Sequence, residues 1–173
     1  MNIRKPLFLL LLFVGACATD SHSPSAEDVG QWQQTAEKLT TLLKEEKFRE
    51  TENLTKTKIA ELLENANDTE ENDTLIKYAR QILSISYYNY LKSKQFRSGI
   101  EYMDSLSQIS FIQENCKHEL LSARASLHQM HGNNEQAIKL ANEYLQLPDY
   151  EDADRFIPQA EIVSGVYIYS GND

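Results

Sequence analysis

Apolar side chains recur every three or four residues along most of the chain, and this spacing constrains the fold more than any other feature. Trp32, Ala36, Leu39 and Leu43 are typical of it. Such spacing places side chains on one face of an α-helix, whereas a half-buried strand requires strict alternation. Only six glycines and four prolines occur among the 173 residues. The sequence therefore predicts an all-α fold.

The ends of the helices can be predicted from the breaks in this pattern. Gly132 is typical of the residue that follows a helix, and Pro148 cannot continue one. Asp73 or Thr74 can cap the helix after the polar segment 65–74. The short connections predict antiparallel helical hairpins. We expect about seven helices, at approximately 28–44, 48–65, 75–91, 96–107, 113–131, 134–147 and 152–169.

Residues 120–147 contain the clearest internal repeat. Ala125, Gly132 and Ala137 are small residues seven and then five positions apart. The stretch resembles a tetratricopeptide (TPR) repeat, in which two helices cross closely at small residues and turn at the central one. The resemblance places His128 at a position usually held by tyrosine. It implies that Ala137 is buried against the first helix of the pair, whereas Ala141 tolerates a larger residue.

Weaker copies of this pattern extend the resemblance over nearly all of the chain after the first residues. Matching positions lie 48, 38 and 39 residues apart. Tyr87 departs from the pattern, because a small residue is expected there. The resemblance implies a short TPR-like α-solenoid of stacked hairpins. The other residues that match are Phe48, Thr51, Tyr90, Phe96, Gly99, Ser164, Tyr167 and Gly171.

The last predicted helix resembles only the first half of a repeat. Its apolar residues, from Ile162 to Tyr169, surround it almost completely, and a helix that is apolar on all sides is normally buried. Two alternatives follow. The chain is a shortened version of a longer protein, or this C-terminal helix is covered by a partner or by a second copy, which predicts self-association.

The beginning of the chain has the composition of a secretory signal. Arg4 and Lys5 precede an apolar run of about eight residues at 7–14, which is too short to span a bilayer. The sequence VGAC at 14–17 resembles a bacterial lipobox. The resemblance implies that Cys17 is lipidated and becomes the new N-terminus. The alternative is an ordinary signal cut one residue before or after this cysteine.

We therefore predict three parts: a lipoprotein signal peptide at 1–17, a flexible polar tether at 18–27 and a helical repeat domain at 28–173. The predicted location is a Gram-negative cell envelope, with a lipid anchor as the contact with the membrane. Asp20 does not directly follow the cysteine. The known retention signal for the inner membrane is therefore absent, and the outer membrane is the expected site.

The charge of the chain argues against nucleic acid as a partner. Once residues 1–17 are removed, the basic residues fall from 17 to 15 against 26 acidic residues, which gives −11. A chain of this charge repels a polyphosphate. If Cys17 is lipidated, Cys116 is the only free thiol, and we expect it to pack as a small apolar residue.

No pattern in the sequence predicts a cofactor, a metal site or a catalytic group. His128 and His131 are one helical turn apart and could reach one zinc ion, but no third ligand follows, so packing is the preferred interpretation. The acidic segment 67–74 resembles a calcium loop but lacks its glycine and its final glutamate. The acidic cluster at 149–154 suits a helix N-terminus. We predict that the protein is not an enzyme.

The repeat register predicts instead a concave groove that binds a protein or an extended peptide. Its mixture of aromatic, apolar and amide side chains suits such a ligand, although the Lys, Asn and Arg pattern of chaperone-binding relatives is absent. The predicted groove residues are Gln81, Ser84, Tyr88, Leu91, Lys92, Glu119, Ser122, Ser126, Gln129 and Met130.

These expectations together describe a membrane-anchored, TPR-like protein-interaction module, which resembles the repeat-bearing lipoproteins of Bacteroidetes. Two alternatives stay open. The chain could be the N-terminal sensor part of a truncated signalling protein, such as a histidine kinase or a transcriptional regulator. It could also be an accessory lipoprotein for envelope assembly or glycan uptake.

Overall fold

The computed structural model describes residues 26–66 and 73–148, and every regular element within them is an α-helix. The all-α prediction is therefore confirmed for these residues. The first helix begins two residues earlier than predicted, and the predicted helix at 152–169 lies outside the described residues. The seven helices are α1 (Ala26–Lys44), α2 (Phe48–Ala66), α3 (Asp73–Lys92), α4 (Phe96–Leu106), α5 (Ser110–Asn115), α6 (Lys117–Met130) and α7 (Asn134–Leu145).

The predicted continuous helix at 113–131 is wrong, because the structure divides it at Cys116. Helix α5 already begins at Ser110, and Cys116 leaves helical geometry, with φ −126° and ψ 24°. The Nε of Arg80 donates a hydrogen bond to the carbonyl oxygen of Asn115 (2.9 Å). In an unbroken helix that oxygen would accept from the backbone amide four residues later. The side chain from α3 therefore satisfies the carbonyl group that the bend leaves without its helical partner.

The helices pack as three successive hairpins. Helix α1 packs on α2, α3 on α4, and α6 on α7. The second helix of one hairpin also contacts the first helix of the next, as α2 contacts α3 and α4 contacts α6. In addition, α1 contacts α3, and α3 contacts α6. Helix α3 therefore lies at the centre of the described helices.

The hydrophobic core follows from this central position of α3. One apolar cluster joins α1 to α6, and its fully buried members include Leu39, Ile82, Leu83, Met103 and Leu127. From residue 82 to residue 90, all side chains of α3 except that of Tyr88 are buried. Because the neighbouring helices enclose α3 over this stretch, Tyr88 is the one side chain there that is partly exposed.

A second, smaller cluster lies between α6 and α7 and contains both alanines of α7. Ala137 is fully buried and packs in the same cluster as Ala125 of α6, so its predicted burial is confirmed. Ala141 is also fully buried in that cluster. Its predicted greater tolerance of substitution stays a prediction.

The three hairpins turn in the same way. Glu46, Lys94 and Gly132 adopt the left-handed conformation, with φ of 59°, 57° and 85°. After α6, the amide of Gly132 donates to a carbonyl oxygen of the last helical turn (3.0 Å), and the amide of Asn133 donates to that of His128 (2.9 Å). The equivalent pair of hydrogen bonds is present at the C-terminal ends of α1 and α3. These are Schellman motifs, and the predicted helix end at Gly132 is confirmed.

A small residue is buried five positions after each of these turns. Thr51 and Ala137 have no exposed surface, and Gly99 is buried at the equivalent point of α4. A Cβ atom placed on Gly99 would lie 2.8 Å from the Cβ of Tyr90 in α3. The second helix of each hairpin therefore crosses the first at its first turn. The positions of turn and small residue recur at intervals of 48 and 38 residues.

Candidate functional site

The ten predicted groove residues form two stripes, one on α3 and one on α6, and we refer to them together as the groove face. Six of them have accessible side chains. Gln81, Tyr88, Leu91 and Gln129 are half-buried and Lys92 is exposed. Met130 is 47% exposed, which is unusual for a large apolar side chain. These six side chains present aromatic, apolar, amide and ammonium groups on one side of the described helices.

The other four residues of the groove face are not at the surface. The structure therefore corrects their predicted position, because α3 and α6 pack against each other on this side. A ligand could contact these four only if neighbouring side chains moved. The exposed fractions are 3% for Ser84, 4% for Glu119, 0% for Ser122 and 8% for Ser126.

Polar contacts join α3 to α6 beneath the accessible residues. The hydroxyl groups of Tyr87 and Ser126 form a buried hydrogen bond of 2.9 Å. Two helical turns earlier, the Nε of Arg80 lies 3.9 Å from a carboxylate oxygen of Glu119. We call this contact line the α3–α6 seam. It consists of Arg80, Ser84 and Tyr87 on α3 and Glu119, Ser122 and Ser126 on α6.

Helical spacing places the two remaining serines, Ser84 and Ser122, along the seam between these two contacts. Ser84 precedes Tyr87 by one helical turn, and Ser122 precedes Ser126 by one turn. The hydroxyl of Ser122 donates to the backbone oxygen of Glu119 (3.1 Å). The hydroxyl oxygen of Ser84 is buried and has no hydrogen-bond partner within the described part of the chain. The seam therefore contains one hydroxyl whose hydrogen-bonding capacity is unused.

Tyr88 lies next to the seam and is the largest accessible side chain of the groove face. Its ring centre is 4.9 Å from that of Tyr87, at an angle of 55°. Burial raises the pKa of Tyr87, so the hydroxyl that bonds to Ser126 stays neutral at ordinary pH. The buried Tyr87 ring therefore packs against Tyr88, whose side chain stays partly exposed.

The burial of Cys116, His128 and His131 bears on the roles predicted for them. Cys116 is fully buried, and burial, assisted by the nearby charge of Glu119, raises its thiol pKa to about 12. Its predicted role as a packing residue is confirmed. His128 is buried at 9% exposure, whereas His131 is exposed. No group of three or more metal-ligating side chains occurs among residues 26–66 and 73–148.

Most residues of the two acidic stretches are outside the described part of the chain. Residues 67–72 of the stretch at 67–74 lie outside the described residues, as does the cluster at 149–154. The predictions for both segments therefore stay predictions. The same holds for the lipidation site Cys17, which precedes α1.

The structure also contains a polar cleft that the sequence did not predict. Its volume is about 540 Å³, and it lies where the end of α4, the short α5, α6 and α7 meet. Residues on both sides of the bend at Cys116 line it, and apolar periodicity gives no signal for it. Arg124 lines this cleft, and its Nε pairs with Oδ1 of Asp104 in α4 at 2.7 Å. The lining residues are Ser107, Gln108, Gln113, Glu114, Lys117, Leu120, Leu121, Arg124 and Glu143.

Among the described helices, none is both long and apolar enough to cross a membrane. Comparisons with protein-family models, with curated proteins and with solved structures found no match to this chain. Any functional conclusion therefore depends on the chain's own residues and their geometry.

Proposed function

We propose that this chain is a TPR-like helical-repeat lipoprotein of the bacterial envelope that binds a protein segment on its groove face. The observation that carries the proposal is the recurrence of one hairpin geometry three times. Each hairpin has the same Schellman turn, followed five residues later by a buried small residue. A repeated supersecondary unit is the basis of a solenoid, and solenoids present extended concave surfaces to their partners.

The contacts between helices support a solenoid arrangement. In a stack of helical hairpins each unit contacts only its neighbours. Here the first helices α1, α3 and α6 contact one another in succession. The second helices α2 and α4 each contact the first helix of the following hairpin. This order is what a regular rotation from one hairpin to the next would produce.

The side chains of the groove face support a protein as the ligand. Tyr88, Leu91 and Met130 offer apolar area, and Met130 is one of two large apolar side chains identified as exposed in the described structure. Gln81 and Gln129 flank them with amide groups. Aromatic and methionine side chains are enriched where proteins bind proteins. Such a surface suits a segment with an apolar side chain and a polar backbone.

The lipid anchor and the location are part of the same proposal. They rest on the sequence at 14–17, which resembles a lipobox. An anchored module with a polar tether can sample partners close to the membrane surface. The outer membrane is the proposed site, and the protein is proposed to act by binding and not by catalysis.

Site-specific photocrosslinking in intact cells tests this proposal. A photoreactive amino acid replaces Lys92, an exposed residue of the groove face, and in a control strain it replaces Lys139, an exposed lysine of α7. We expect a discrete crosslinked protein from position 92 that is absent from position 139. Equal products from both positions, or none from position 92, would contradict a groove that binds protein.

A further inference from the structure

We propose that the hydroxyl of Ser84 is the hydrogen-bonding centre of the groove face and recognises an uncharged amide of the ligand, either peptide backbone or an Asn or Gln side chain. The inference rests on the proposed function, because it assumes that the groove face binds a protein segment. The inference specifies which chemical group of the ligand is recognised and which residue recognises it.

The position of Ser84 along α3 is the first support. Gln81, Ser84, Tyr88 and Leu91 follow one another at intervals of three or four residues, so they share one side of the helix. Ser84 lies between Gln81 and Tyr88, both of which are accessible. A segment that touches both neighbours must therefore pass over Ser84.

The unused hydrogen-bonding capacity of Ser84 is the second support. Its side chain is 3% exposed, and no described group bonds to its hydroxyl. Buried polar groups are nearly always paired, and an unpaired one requires an explanation. A ligand amide offers both a carbonyl acceptor and an N–H donor, and it can therefore satisfy the Ser84 hydroxyl whether that hydroxyl donates or accepts.

The charges of the seam favour a neutral ligand group. The charged side chains of the seam are Arg80 and Glu119, and they face each other at 3.9 Å. Their charges are opposite, so this pair adds no net charge to the seam. A carboxylate or ammonium group placed there would be desolvated without a net opposite charge, which is strongly unfavourable. An amide carries no such penalty.

Tyr88 provides a way for the ligand to reach this hydroxyl. Long side chains in a helix lean towards the helix N-terminus and cover the preceding turn. The ring of Tyr88 is therefore expected to lie over Ser84, four residues earlier. Because Tyr88 is only half-buried, a change of its rotamer can expose the hydroxyl without unfolding α3.

The experiment compares two buried serines of the same helix. Ser86 is 1% exposed, and its hydroxyl also has no partner in the described structure. It lies two residues after Ser84 and hence on the opposite side of α3. A library of random dodecapeptides displayed on phage is panned against the full-length chain in detergent. The tightest peptide that blocks crosslinking at position 92 becomes the probe, and its dissociation constant is measured by fluorescence anisotropy.

We expect Ser84→Ala to weaken binding of the peptide by about threefold to tenfold, the usual effect of one lost hydrogen bond. Its midpoint of urea denaturation should stay unchanged or rise, because an unpaired buried hydroxyl is removed. Ser86→Ala should have the same effect on stability and none on affinity. This combination separates recognition from a structural role, in which stability and affinity would fall together.

Two results would overturn the inference. If Ser84→Ala binds the peptide with unchanged affinity, the hydroxyl is satisfied within the folded protein, for example by an internal water, and only the proposed function survives. If no library peptide blocks crosslinking at position 92, the groove face does not bind peptide, and the inference fails together with the proposed function.

Discussion

Gly99 of α4 lies against Tyr90 of α3 so closely that a methyl group on the glycine would be 2.8 Å from the Tyr90 Cβ. It would also lie 3.2 Å from the end of Leu127 in α6. The Tyr90 Cβ is attached to the backbone and cannot move alone. We therefore expect Gly99→Ala to lower the free energy of unfolding by about 1–3 kcal/mol, the usual cost of overpacking a core. Urea denaturation followed by circular dichroism measures this change.

Gly30 provides the control for this prediction, because it lies within α1 and a methyl group added to it would have no heavy atom within 4 Å beyond the backbone of its own helix. Alanine is a better helix former than glycine by up to about 1 kcal/mol. Gly30→Ala should therefore leave stability unchanged or raise it. If both variants raise the denaturation midpoint, helix propensity outweighs any overpacking at Gly99, and the predicted close crossing is contradicted.

The turns within the three hairpins provide a second prediction, because two of the three left-handed positions are occupied by residues with side chains. Lys94 and Glu46 adopt positive φ and are exposed, and this conformation costs a residue with a Cβ roughly 1–2 kcal/mol. Lys94→Gly should raise the free energy of unfolding by up to about 1 kcal/mol. Gly132→Ala should lower it by a similar amount. Thermal denaturation of both variants tests the pair, and a lower melting temperature for Lys94→Gly would contradict the assigned turn.

The helices and their ends could be predicted where local chemistry decides them. Phe48 and Phe96 begin the helices predicted to start there, and Gly132 follows α6 as expected. The bend at Cys116 could not be predicted, because it depends on Arg80, which is 35 residues from its partner Asn115. No local pattern in the sequence indicates a hydrogen-bond partner so far away along the chain.

The groove face could be predicted only in part, for a related reason. Helical spacing identifies which residues share one side of a helix, as Ser84 and Tyr88 do on α3. Spacing does not specify how closely the next helix approaches. Helix α6 packs against α3 on this side, where Tyr87 bonds to Ser126, and four of the ten predicted residues are buried.

Lipidation of Cys17 is the third prediction. If residues 14–17 are a lipobox, a diacylglycerol group on Cys17 holds the protein in membranes, and additional acyl chains strengthen the anchor. Cys17→Ala should move the protein from the detergent phase to the aqueous phase on phase partitioning. Cys116→Ala is the control, because that thiol is fully buried and should not affect partitioning. A Cys17→Ala variant that still enters the detergent phase would rule out the lipobox.

The fourth prediction concerns the pH dependence of stability and the buried His128. Burial lowers the pKa of His128, an effect opposed by the nearby charge of Asp104. The unfolded chain, in which a histidine titrates near about 6.5, therefore takes up the proton first as the pH falls. Because the unfolded state then binds more protons, the free energy of unfolding should decrease from pH about 6.5 down to the lowered pKa of the folded protein. His128→Gln should reduce this decrease.

Urea denaturation at pH 7.5 and at pH 5.5 measures the effect, and His131→Gln provides the control. His131 is only three residues away but exposed, and its charge contributes less than burial to lowering the pKa of His128, so its replacement should reduce the difference between the two pH values less than His128→Gln does. Each variant removes one imidazole, His128→Gln from α6 and His131→Gln from the turn that follows it. The comparison therefore isolates the effect of burial. If His131→Gln reduces the pH dependence as much as His128→Gln does, loss of surface charge accounts for the effect and burial of His128 does not.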